Sequence, residues 1–251
     1  MDPRPSPERP HSATGKGPGR IGLVCLDMAG TTVRDGGAVI EAFDAALADA
    51  GLQEGSQDYE NAAEYARLTM GQSKIAVFRD IFGGDEELAL QANKSFETAY
   101  AESIHSPGGA VPIPGAEETV EACRAEGIPV ALTTGFSAAT RDQLIAALGW
   151  DGLCDLVLSP EDAGRGRPYP DMLLTALIRL GIDDVAQIAA VGDTTSDLLA
   201  GSRAGASIIA GVRTGAHGDE QFATVPHTHV IDSVADLPKL IAAYNSRPAV
   251  A

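Results

Sequence analysis

The sequence predicts an α/β protein: a core built on a parallel sheet, with an all-helical segment inserted after the first strand. Three observations carry that expectation. An apolar run over 21–26 ends at a lone carboxylate, Asp27, and a Gly-Thr turn follows at once. From residue 110 onward helical and strand patterns alternate, which implies right-handed crossovers with helices on both faces of a sheet. Between these two parts, residues 38–105 read as almost purely helical.

The run over 21–26 is too short to cross a membrane and reads as a buried parallel strand. Arg34-Asp35-Gly36-Gly37 reads as a loop. Helices are expected over 41–50, stopped by Gly51, over 59–68, over 73–82, stopped by Gly83-Gly84, and over 85–103, before Pro107-Gly108-Gly109 breaks the pattern. Then follow a helix over 115–126, a strand over 129–134, a helix over 137–148 and a short strand over 156–158. A helix over 171–180, a strand over 187–191, a helix over 195–204, strands over 207–212 and 229–231, and a closing helix over 234–244 complete the series. A helical insertion at this point lies over the carboxyl ends of the strands, where a lid belongs. The expected division is therefore a core over 20–38 and 109–245, a helical cap over 39–108 and a tail over 246–251. Residues 1–19 are rich in Pro, Gly and Ser and lack the apolar segment of a signal peptide, so they read as a disordered leader in which His11 has no role.

With 251 residues, 44% hydrophobic and 21% charged, the chain has ordinary globular composition and enough length for a full core. Its net charge of −17 repels nucleic acid and anionic membranes, so neither is expected as a partner. An anionic substrate would need a local positive pocket, with a metal ion to help. Cys25, Cys123 and Cys154 lack metal-ligand spacing and read as reduced thiols of a cytoplasmic protein. No apolar stretch reaches the roughly 18 residues of a membrane-spanning helix.

Four strand ends carry the candidate chemistry. Asp27 ends the first strand, where open α/β sheets bind ligands, and Ala29-Gly30-Thr31 lets backbone N–H groups approach an anion. Asp27 thus reads as a nucleophile or metal ligand facing a phosphoryl group, or as a cap of the next turn. Thr133-Thr134-Gly135 offers a hydroxyl and a backbone N–H at a helix start. The segment Gly164 to Pro170 supplies a fixed cation, Arg167, ahead of another helix. Gly192-Asp193-Thr194-Thr195-Ser196-Asp197 places two carboxylates four apart at a strand-to-helix turn; alone, that pair also fits a helix cap plus a solvated acid. Together the four suit an attack of a carboxylate on phosphorus. That is anion on anion, so a divalent cation belongs between them; Mg²⁺, with Asp27, a backbone carbonyl and Asp193 as donors, suffices. Thr134 and Arg167 would neutralise the equatorial oxygens.

In that order, Asp27-x-Ala29-Gly30-Thr31, Thr134-Gly135, a basic residue and Gly192-Asp193-x-x-x-Asp197 resemble the motif set of the haloacid dehalogenase superfamily over about residues 20–245. The resemblance implies a Rossmann-like core with a helical cap, Asp27 as nucleophile, Mg²⁺ held by Asp27, the Ala29 carbonyl and Asp193, and Asp197 as a supporting acid. Most phosphatases of the superfamily carry an acid two residues after the nucleophile and Lys at the third motif; here these are Ala29 and Arg167. Both departures, together with Thr133-Thr134-Gly135 and Gly166-Arg167-Pro168-Tyr169-Pro170, look like the phosphonatase branch, which hydrolyses phosphonoacetaldehyde. Met70-Gly71-Gln72-Ser73-Lys74-Ile75 is similar to that branch's Met-Gly-x-x-Lys-Ile segment, which implies substrate contacts from Met70 and Gly71 and a Schiff base on Lys74. A C–P bond does not break to a bare carbanion, and an iminium β to phosphorus accepts the electron pair. Lys74 shares a helical face with Val77, Phe78 and Ile81; it also fits a lysine snorkelling at the rim of the cap core. The chain departs from phosphonatase where that branch has His, Tyr and Cys, at Val77, Phe136 and Gly37.

The expected activity is thus Mg²⁺-dependent cleavage of phosphonoacetaldehyde or a related phosphonate through an aspartyl-phosphate. The alternative is a phosphomonoesterase of small organophosphates in which Lys74 only holds substrate. A phospho-aspartate receiver is half this size and lacks the insertion. A halide-releasing enzyme needs neither the Asp193 site nor Thr134-Gly135. The resemblance is also compatible with a homodimer through the cap. His217, His227 and His229 have no supporting Cys and read as surface or strand-edge residues, and His105 as a hinge or cap residue.

Overall fold

The computed structural model describes residues 19–34, 36–106 and 108–247. The expectations for the leader over 1–18, His11, Asp35, Pro107 and the tail from 248 onward lie outside the described residues. The core is a six-stranded sheet in the order β5-β4-β1-β6-β7-β8, every neighbouring pair parallel. Its strands are β1 (Leu23–Asp27), β4 (Val130–Thr133), β5 (Leu156–Leu158), β6 (Ile188–Gly192), β7 (Ile208–Val212) and β8 (His229–Ile231). Both faces are covered, so β1 and β6 read as unbroken buried runs. Period-two alternation nevertheless sorts them. Leu23 and Cys25 face one apolar cluster, with Ala131 and Ile188; Val24 and Leu26 face the other, with Val130 and Ala189.

The first cluster is covered by α8 (Asp171–Arg179) and α9 (Thr195–Ala204). The other is covered by α5 (Ala116–Ala125), α6 (Ala138–Leu148) and α11 (Leu237–Asn245). The chain leaves β1, builds outward through β4 and β5, then crosses back to β6. That reversal beside β1 opens a crevice at the carboxyl ends of the strands, the place where such sheets bind ligands.

Four helices stand between β1 and β4: α1 (Ala38–Asp49), α2 (Gln57–Leu68), α3 (Lys74–Ile81) and α4 (Glu86–His105). Helix α1 begins three residues earlier than the pattern predicts, because Gly37 adopts φ 93° and opens it. Helix α4 begins where expected: Asp85 accepts hydrogen bonds from the N–H groups of Glu87 and Leu88. The helices close on Phe43, Phe78 and Phe96, with Phe43 5.2 Å from Phe78 and 5.0 Å from Phe96 between ring centroids. Tyr100 meets Phe136 at 4.5 Å, which joins this cluster to the loop after β4.

The ribbon that carries the four helices was not readable in the sequence. β2 (Val33–Arg34) pairs antiparallel with β3 (Val111–Pro112), so both crossings between sheet and helices run side by side. Two-residue strands are too short to show a period, and Arg34 reads as loop. Short helices α7 (Pro160–Ala163) and α10 (Asp219–Phe222) were missed for the same reason. No helix among the described residues is long and apolar enough to cross a membrane. Of the three cysteines, Cys25 and Cys123 are buried and Cys154 is half-buried.

Candidate active site

Asp27 closes β1 in register with Thr133 at the end of β4, so both side chains emerge at the same level of the sheet. The loop that follows turns tightly: the N–H groups of Thr31, Thr32 and Val33 all donate to the Met28 carbonyl, at 3.2, 2.9 and 2.8 Å. The Gly30 N–H donates to Val33 O at 2.7 Å with φ 87°, a conformation that favours glycine. The Thr32 hydroxyl donates to the Asp27 carbonyl at 2.9 Å. The amides of Gly30 and Thr31, expected to approach an anion, are thus spent on closing the turn. Neither residue lines the cavity, whereas Ala29 does. The placement gives Gly30 and Thr31 a supporting position behind Asp27.

Arg167 is the hub. Its side chain is 1% exposed and pairs with Asp27 Oδ1 at 2.6 Å and Asp197 Oδ1 at 2.9 Å. Its Nη2 donates to Thr133 Oγ1 at 2.7 Å, and Nη1 reaches the Gly71 carbonyl at 3.4 Å. A planar guanidinium can serve that many acceptors in fixed directions; an ammonium cannot. Burial opposes the Arg167 charge, but the carboxylates of Asp197 and Asp27 outweigh it and hold the guanidinium above its ordinary range.

Both readings of the fourth motif meet in Asp197. It caps α9 in a reciprocal box: Thr194 N–H donates to Asp197 Oδ2 at 3.0 Å, and Asp197 N–H donates to Thr194 Oγ1 at 3.3 Å. Far from being solvated, it is 7% exposed and anchors Arg167 with its other oxygen. Asp193 Oδ2 accepts from Ala216 N–H at 2.7 Å, and His217 N–H donates to the Asp193 carbonyl at 3.1 Å.

Burial pushes the Asp27 carboxyl up to about 7, and the Asp197 charge adds to the shift while Arg167 opposes it. Asp193 rises well above the usual carboxylate range through burial and the charges of Asp27 and Asp197. Three buried carboxylates face one guanidinium, an anionic excess that a divalent cation would relieve. The donor set suits Mg²⁺. Hard oxygens from two carboxylates and a backbone carbonyl leave room for water and phosphate oxygens. A side chain at Gly30 or Gly215 would collide with the Asp193 carboxylate, so the packed backbone holds that carboxylate in place. Among the described residues no group of three or more His, Cys, Asp or Glu side chains converges as a metal site.

A cavity of about 600 Å³ lies over this floor. Asp27, Ala29, Thr134, Gly135, Arg167 and Asp193 line it from the sheet side; Met70, Gly71 and Lys74 line it from the helical side. Gly71, at φ 81°, packs so closely that a side chain there would strike Thr194 Oγ1, and one at Gly135 would strike the Gln72 carbonyl. Lys74 is 6% exposed, with Nζ 5.3 Å from the Phe43 ring centroid, 5.5 Å from Phe136 and 5.7 Å from Phe96. Val77 and Phe136, where the phosphonatase branch has His and Tyr, are both buried.

Several residues of the site escaped sequence reasoning. Thr133, beside the expected Thr134, holds the guanidinium. His217 corrects the surface assignment: it is half-buried, lines the cavity, and its Nδ1 accepts the Thr195 N–H at 3.0 Å. Its loop folds back over Asp193, and nothing in the spacing of residues 213–218 announces that return. His227 is exposed, while His229 is half-buried on β8, as expected of a strand-edge position. Arg34, Glu64, Arg67 and Leu68 also border the cavity.

The description haloacid dehalogenase-like hydrolase matches residues 21–205. A phosphonoacetaldehyde hydrolase of Salmonella paratyphi C is 30% identical, with 91% of this chain and 96% of the relative covered. The probable phosphatase IndB of Dickeya dadantii is 29% identical, with 86% and 91% covered. The crystal structure of a phosphonoacetaldehyde hydrolase like protein from Oleispira antarctica shares the fold at a TM-score of 0.73 and 24% identity, over 91% of this chain and 94% of that one. The chain is a hydrolase and belongs to the haloacid dehalogenase-like family, in its phosphonatase-like branch.

Proposed function

We propose that this protein cleaves the C–P bond of phosphonoacetaldehyde or a closely related aldehyde phosphonate, with helices α1–α4 acting as the cap. One observation carries the reading: Lys74 and Asp27 line the same cavity, and Ala29 stands where an alcohol-protonating acid would be needed. Lys74 Nζ condenses with the aldehyde and releases water, giving an iminium β to phosphorus. Asp27 Oδ attacks phosphorus; the C–P electron pair moves into the iminium, and the organic fragment leaves as an enamine on Lys74. Arg167 and Thr134 balance the charge on the phosphoryl oxygens. Water then hydrolyses the aspartyl-phosphate, and protonation and hydrolysis of the enamine free the aldehyde product. When bound by Asp27, Asp193 and the Ala29 carbonyl, Mg²⁺ supplies the positive charge that lets one anion approach another.

A second reading, hydrolysis of a small phosphate ester, is favoured by the surroundings of Lys74. Three ring faces stabilise an ammonium over a neutral amine, and that suits a lysine that holds an anion. Borohydride reduction in the presence of phosphonoacetaldehyde separates the two. The first reading expects irreversible loss of activity and an adduct on Lys74, absent in Lys74→Arg. Rapid turnover of phosphate esters with no adduct would establish the second.

A further inference from the structure

The cavity that holds Asp27 is graded in burial and in charge. Its interior is dry: Asp27, Arg167, Asp193 and Lys74 are each 3–6% exposed. Its mouth is wet: Arg34 is exposed at the start of the ribbon, and in the last turn of α2 Leu68 is 65% exposed. On a chain with 18 basic and 35 acidic side chains, four cations (Arg34, Arg67, Lys74 and Arg167) line this one cavity. Arg167 at the floor and Lys74 in the roof lie deep in the cavity, beside the proposed phosphoryl site. The two at the mouth have no such task.

Arg34 has no ion pair among the described residues. Arg67 pairs with Glu64 at 3.4 Å, with side chains 52% and 61% exposed. An exposed pair of this kind is weak and readily exchanged for a ligand anion. The volume, about 600 Å³, is that of pockets enclosing ligands much larger than a two-carbon phosphonate. We infer that the substrate preferred by this site carries a second anionic group, a carboxylate or a phosphoryl group, at the end remote from the transferred phosphorus, and that Arg34 and Arg67 receive it. The inference rests on the reading that the phosphoryl group sits at Asp27. It adds that Arg34, from the ribbon, and Arg67, from the helical segment, select by the far end of the molecule. Arginine suits that task, since its fork accepts either a carboxylate or a phosphoryl oxygen pair.

Calorimetric titration of the Mg²⁺-loaded protein with three non-reacting probes tests this without any need for turnover. Propylphosphonate has no distal anion, 3-phosphonopropionate has a distal carboxylate, and propylene bisphosphonate has a distal phosphonate. At least one distal-anion probe should bind about tenfold tighter than propylphosphonate, and the one that gains more names the group. In an Arg34→Met, Arg67→Met double variant that ratio should fall toward one. Equal affinities, no binding of either distal-anion probe, or a ratio that survives the double variant would overturn the inference; the last result would mean that groups other than Arg34 and Arg67 receive the distal anion. If propylphosphonate also fails to bind, and Asp27→Asn still turns over phosphonate and phosphate esters, the phosphoryl site itself has been misplaced.

Discussion

The floor and the roof of the cavity are built on opposite principles. At the floor the charged groups are tied to one another or to the backbone. Asp27, Asp197 and Thr133 are tied through Arg167, and Asp193 is pinned by Ala216. In the roof Lys74 stands among three aromatic rings, and Arg67 is exposed. A buried ionic network tolerates little change because each loss strands a charge. The exposed charges at the edge of the roof can be changed at small cost. On the proposed reading, the floor carries the chemistry of phosphorus and the roof chooses what carries the phosphorus.

The largest effects should come from the floor. Asp27→Asn should lower kcat on the order of 10⁴-fold with folding retained. The same variant tests the electrostatics. Because burial raises the Asp27 carboxyl from its ordinary 3.8 to about 7, the folded protein holds a proton that the unfolded chain releases across that window. This stabilising contribution is complete below about 3.8 and lost as pH rises through 7, so the metal-free native protein should melt lower at pH 7 than at pH 5. Asp27→Asn should lessen that slope, and Mg²⁺ should raise the melting temperature most at the higher pH. A slope unchanged by the substitution would mean that Asp27 is not the group responsible.

Arg167→Met comes next. It leaves Asp27 and Asp197 buried without their counter-ion, and urea unfolding should show a loss of about 3–5 kcal/mol. A cost under about 1 kcal/mol would erase the contrast between floor and roof.

The smallest effect belongs to the roof. Phe136→Leu removes one of the rings near Lys74 and should change kcat/KM by less than about tenfold. The sign is the informative part. Turnover at neutral pH should rise if Lys74 reacts as a neutral amine, because a ring that stabilises the ammonium has gone. It should fall if Lys74 works as a cation.

Asp27, Thr134 and Asp193 were legible because each sits at or just beyond a strand end, and parallel strands bring their carboxyl ends together wherever they lie in the chain; Arg167 stands farther on, between α7 and α8, and was legible as the basic residue of its motif. The helical insertion was legible from its period and its Gly and Pro stops. Asp197 could be read in two ways, as cap or as supporting acid, and only the fold showed one carboxylate doing both, one oxygen to each. Gly30 and Thr31 belong to a turn whose amides serve the turn itself, which a string of residue types cannot reveal. His217, Arg34 and Arg67 reach the cavity through a returning loop, the ribbon and the placement of helices over the sheet, and Thr133 reaches Arg167 through register. Local periodicity determines what each segment becomes; distances between segments far apart in sequence are set by packing, and packing decided who stands beside Asp27.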